Sequence, residues 1–133
     1  MNPKLASAIA VVVTAFVTPA VAHHSFAMFD AEKTVTLQGT VKEFQWVNPH
    51  SWLRVMINDE KTGVPGLWQL ELSSPSRLIT MGMHANSVKP GDVVTVTFHP
   101  LKDGSRGGQF LQAKLPDGKE IIRANARDDN ADQ

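Results

Sequence analysis

Between Val35 and Ile122 apolar side chains recur at every second position in short runs, and Pro, Gly or Asn/Asp turns cut each run from the next. A period of two belongs to extended chain, whose side chains point alternately to the two faces of a sheet. In TVTLQGTV, Val35, Leu37 and Val41 share a face with Gly39 in line. WLRVMI sends Leu53, Val55 and Ile57 one way and Trp52, Arg54 and Met56 the other. LWQLEL places Trp68, Leu70 and Leu72 inward, VVTVTF does the same with Val94, Val96 and Phe98, and QFLQAKL supplies a fifth strand before a short EII. One stretch breaks the alternation. KEFQW moves Phe44 and Trp46 to the other parity, which requires a bulge near Lys42 and Glu43 or two aromatics on the outer face.

Between the third and fourth strands the period changes. Ser74 suits an N-cap, Pro75 the first helical position and Gly82 the residue past the end, so the spacing predicts a short helix over 75–81. A mainly β chain with three strands, a helix and two more strands has the order of a small five-stranded OB-like barrel. An open β-sandwich has the same strand count and is the alternative.

No cysteine occurs, so disulfides, thiolate metal sites and thiol catalysis are excluded and the domain must be held by its apolar core. Residues 1–22 read as a signal peptide, with Lys4, an apolar stretch from Leu5 to Val17 and the small-x-small site Ala20-Val21-Ala22. That stretch is shorter than the roughly 20 residues of a bilayer span. Cleavage after Ala22 would start the chain at His23 and give a periplasmic or secreted protein with no membrane span. The expected organisation is an N-terminal arm at 23–34, a barrel at 35–122 and a disordered polar tail at 123–133. Without Lys4 there are 12 basic against 13 acidic residues, a balance that carries neither a nucleic-acid nor an anionic-membrane footprint.

The segments HHSFAMFD and VTLQGTVKEFQWVNPHSWLRV, continued by KPGD and DGS, resemble a bacterial family of small exported proteins known as domain of unknown function 6152. The pairing of His-His-Ser-Phe with Asn-Pro-His is the most specific part of the likeness. The resemblance implies an exported bacterial protein and brings no activity with it.

Chemistry must therefore come from the residues. A free amine at His23, with the imidazoles of His23 and His24, would chelate Cu(II), Ni(II) or Zn(II), and protons would compete for the same nitrogens. His50 lies in the loop after strand one and His99 opens the loop between strands four and five. An OB topology frames one face with these two loops, so His23, His24, His50 and His99 form a candidate metal set with copper as the favoured ion. For the arm to reach His50, its twelve residues must run back along the barrel, a span of up to about 40 Å. The bland reading is a processed N-terminus and a turn histidine bonded to its own loop. Met81, Met83 and His84 in MGMH offer a softer set suited to Cu(I), against a simpler reading of the methionines as core.

The second reading of the chain is a non-metal interaction module. Trp46 and Trp52 flank the VNPHS turn and could lie across from each other as a platform, with Asn48 in the turn and Arg106 in the glycine-rich loop. A protein, peptide or glycan would be its partner. The same aromatics could instead close a hairpin as a cross-strand pair. Signatures of Ser hydrolases, zincins and P-loops are missing, and the paired acids Asp59-Glu60 and Asp128-Asp129 sit in loops or tail, so a binding role is expected over catalysis. A copper-dependent redox enzyme is the third reading.

Overall fold

A computed structural model describes residues 26–58, 60 and 63–122; the expected signal peptide at 1–22, His23, His24 and the expected tail at 123–133 lie outside the described residues. The strands are β1 (Val35–Gln45), β2 (Trp52–Asn58), β3 (Pro65–Glu71), β4 (Val93–Pro100), β5 (Gly107–Lys114) and β6 (Glu120–Ile122), with α1 (Pro75–Thr80) between β3 and β4. Neighbouring strands pair antiparallel in the order β3-β2-β1-β4-β5-β6, and a parallel pairing of β3 with β5 joins the ends. This closes a five-stranded mixed barrel, with β6 outside the ring paired only to β5. The OB-like order is thus present, and the open sandwich is not formed.

The change of parity in β1 is a bulge. The β1–β2 register runs regularly to Val41↔Val55, shifts across Lys42, and resumes at Glu43↔Arg54. One extra residue at this point turns Phe44 opposite Leu53, so both aromatics after the bulge come back to the core side. Phe44 and Trp46 pack against the core and meet edge to face at 5.7 Å and 74°. A second irregularity, between Thr97 and Phe98 of β4, leaves Leu111 of β5 without a direct partner. Both bulges bend strands that must wrap a small circumference.

Val41, Leu53, Val55, Leu70, Val96 and Phe98 are completely buried. Leu78, Met83 and Val88, from α1 and the segment after it, add to the same cluster. The helix begins at Pro75 as its sequence predicts, and Gly82 takes a positive φ of 81° just past its end. Ser74 occupies the N-cap position with extended backbone, but its hydroxyl pairs with Ser76 Oγ at 3.2 Å instead of capping a backbone N–H. Lys119 Nζ donates to Gly82 O at the helix end (2.8 Å), where a cation also suits the helix dipole.

The arm is held against β4 by backbone pairing. Phe29 forms an isolated bridge with Leu101, Asp30 N–H donates to Pro100 O (2.8 Å), and Lys102 N–H donates to Met28 O (3.0 Å). Phe29 is 6% exposed, so its ring, together with these bonds, fixes the direction in which the chain approaches the barrel. Among the described residues no helix is long and apolar enough to cross a membrane.

Candidate functional site

Strand alternation decides which side chains can form a site on the outer wall. Leu53 and Leu70 face inward, so Trp52 on β2 and Gln69 and Glu71 on β3 face outward. Register then aligns Trp52 with Glu71, Glu71 with Gln109 of β5, and Gln109 with His99 of β4. One row of residues thereby runs around the barrel wall, from Trp52 to His99.

His50 joins this row through its chain neighbour. Ser51 is completely buried; its N–H donates to Ser73 O (3.1 Å) and its carbonyl accepts from Leu72 N–H (2.8 Å), which ties the turn to the end of β3. Ser51 Oγ reaches Val47 O at 3.4 Å and closes the turn, which contains a cis Asn48–Pro49 bond. Held there, His50 hydrogen-bonds Glu71 Oε1 through Nδ1. The glutamate side chain is 13% exposed and the imidazole 36%, so the carboxylate is the more deeply covered of the two. A carboxylate on one ring nitrogen fixes the imidazole plane, the kind of outer support that metal-bound histidines use.

His99 is also held by Nδ1, at 2.7 Å from Lys33 O. A carbonyl oxygen only accepts, so this ring nitrogen carries the hydrogen. The bond ties His99 to the arm, while Glu71 holds His50; the two histidines share the row but have different partners two strand pairings apart. Among the described residues no three His, Cys, Asp or Glu side chains gather as a metal group. His23 and His24 lie outside the described residues.

A cleft of about 270 Å³ opens beside the row. Trp52 and Glu71 form one wall, Phe29 and Met28 of the arm another, and Leu101, Arg106 and Gly107 of the β4–β5 loop the rest. The described part of the arm does not run back along the barrel: it continues the β1–β4 pairing past Val35, with Phe29 opposite Leu101, and so borders the face that holds Trp52 and Glu71. Arg106 extends along β3 toward Gly66: a Cβ at that glycine would lie 2.5 Å from Arg106 Nε. Asp103, the acid of the same loop, accepts from Ser105 N–H (2.9 Å) and Oγ (2.6 Å), and these bonds hold its pKa below the ordinary value.

The expected tryptophan platform takes a different form. Trp52 lies opposite Gln45, and the bulge has turned Trp46 to Phe44 and the core; Trp52 alone faces the cleft. Asn48 is exposed at the tip of the turn. In MGMH the methionines go to packing, Met83 fully buried and Met81 against the core, whereas His84 is exposed with its N–H on Ser87 Oγ (2.8 Å). No soft donor set is assembled there. Glu71 and Phe29 were the residues hidden from sequence reading. Glu71 carried one usable signal, its outward parity on the third strand, but its partner depended on register. Phe29 carried none, because the arm has no period.

The structure thus defines a five-stranded OB-like barrel with an outer cleft between its arm, the wall of β2 and β3, and its β4–β5 loop. The chain belongs to the family of unknown function DUF6152, whose model matches residues 10–112. No curated protein and no solved structure matches the chain.

Proposed function

We propose that this is an exported small binding protein that takes a divalent transition metal, copper being favoured, at the mouth of the cleft. Its ligands are His50 and the N-terminal His23 and His24. One observation carries the reading: Met28 and Phe29 line the same cleft as Trp52 and Glu71, and Glu71 holds His50 by Nδ1. His24 stands four residues before Met28, a span of up to about 14 Å of extended chain, so both histidines lie within reach of that mouth. Amine and imidazole nitrogens are the donors that Cu(II) prefers, and Glu71 supplies the outer support that metal-bound histidines use. His99 acts in this reading as the clasp of the arm on β4.

The test uses the exported and processed protein, its His23 start confirmed by intact mass. Cu(II) is titrated against it, against the same chain with one added N-terminal alanine, and against His50→Ala. The added residue weakens binding by displacing the amine from the His23 ring chelate, and His50→Ala weakens it by at least about tenfold, or roughly 1.4 kcal/mol. Equal affinity in all three proteins would remove the proposal. Affinity falls as pH falls, because protons compete for the same nitrogens.

A further inference from the structure

Arg106 is the cation of the cleft that no part of the metal reading uses. It is exposed, and among the described residues no carboxylate forms an ion pair with it: the pairs present are Lys33–Asp30, His50–Glu71 and Arg54–Glu43. The acid nearest in sequence, Asp103, is turned onto Ser105. Glu71, the other charge lining the cleft, is engaged by His50 and lies the opposite way along β3 from Gly66, against which Arg106 rests. Between the two ends the lining is mostly apolar, from Met28, Phe29, Leu101 and Trp52, with Gln69 and Ser105 as its uncharged polar members.

The floor is shaped by one missing side chain. At Gly107 a Cβ would lie 2.8 Å from Leu101 Cδ1 and 3.0 Å from Gln69 O, so glycine lets Leu101 settle on the sheet and leaves the cleft its depth. At about 270 Å³ the space falls just under the range of pockets for drug-sized ligands, which begins near 300 Å³. It suits one small flat molecule better than a length of polymer.

From this charge and shape we infer that the cleft is a binding site for a small organic monocarboxylate with a flat apolar body. The carboxylate pairs with the planar fork of Arg106, a geometry that guanidinium matches and ammonium does not. The body lies along Leu101 and Phe29 with Trp52 at its side, where flat rings gain most from contact with an aromatic face. The site is independent of the metal proposed above, and its test is run in EDTA, so the failure of one leaves the other standing.

Phenylacetate is the probe, with benzyl alcohol as its uncharged counterpart. Amide and indole resonances of the ¹⁵N-labelled processed protein are followed during titration. Phenylacetate shifts the Gly107 and Gly108 amides and the Trp52 indole, and benzyl alcohol binds at least about tenfold more weakly. R106Q brings phenylacetate down to the alcohol's affinity, R106K recovers only part of the loss, and Gly107→Ala weakens both probes by pushing Leu101 into the cleft. Resonances of β1 and β4 away from the cleft report whether each variant keeps its fold; if R106Q does not, the comparison of the two probes in the native protein decides alone. Equal binding of acid and alcohol, unchanged affinity in a folded R106Q, or shifts confined to other surfaces would overturn the proposal. So would a peptide ending in a free phenylalanine carboxylate that binds at least about tenfold more tightly than phenylacetate, since that result assigns the cleft to a protein terminus.

Discussion

Leu53, Val55 and Leu70 turn into the barrel and are covered on every side, whereas Trp52, Gln69 and Glu71, their chain neighbours, turn outward and are covered only where the arm and the β4–β5 loop lie over them. The same two strands thus serve two regions with different rules. Inside, any apolar side chain of suitable volume satisfies the requirement, because close packing is the whole demand. At the cleft the demand is for particular neighbours, as His50 for Glu71 and Leu101 for Gly107. The interior should therefore govern stability and the cleft should govern binding, and substitutions can separate the two.

The largest effect is expected inside. Phe98 is fully buried, lies 5.5 Å from Trp68 with the rings tilted by 52°, and pairs with both β1 and β5, so Phe98→Ala should cost about 4 kcal/mol in denaturant unfolding. A loss under about 1 kcal/mol would mean that the interior tolerates a cavity that close packing forbids. Phe29→Ala removes a ring almost as buried, but the arm can detach while the barrel stays closed. Its cost to global unfolding should be smaller, about 1–2 kcal/mol, since local opening takes the place of global strain. Amide exchange checks this: the N–H groups of Asp30 and Lys102 should lose protection while those of β1 and β2 keep it. If all of them lost protection together, arm and barrel would be one cooperative unit and the contrast between the regions would fail.

This division also explains what could be read from the chain. Inward residues announce themselves by period, and Val94, Val96 and Phe98 were legible because a buried strand face needs only alternation. The position of α1 was legible because Pro75 and Gly82 mark its ends by backbone chemistry alone. The bulge at Lys42 was half legible: parity announced a shift, but only the core could say that Phe44 and Trp46 would follow it inward. The cleft was least legible. Arg106 and Trp52 were picked out as single residues, but the contact of His50 with Glu71 depends on the β2–β3 register and on Ser51 being pinned to Ser73. Those are long-range facts, and no local pattern encodes them.

The smallest effect belongs to the outer wall beyond the cleft, where Glu43 pairs with Arg54 across β1 and β2 and accepts from Gln45 Nε2 at 2.9 Å. The Arg54 guanidinium first, and Gln45 second, hold the Glu43 carboxyl below its ordinary value of 4.5. A depressed folded-state pKa means that the folded protein binds this proton less readily than the unfolded chain does. The contribution is therefore complete above pH 4.5 and is lost as pH falls through the lower folded value. The pair is solvated, so the loss should be slight and should shrink further in salt. Glu43→Gln should flatten the acid limb of the stability curve by that small amount and leave both Cu(II) and phenylacetate binding unchanged. A changed affinity for either ligand would show that the outer wall and the cleft are coupled through β2, since Arg54 and Trp52 lie on the same face of that strand.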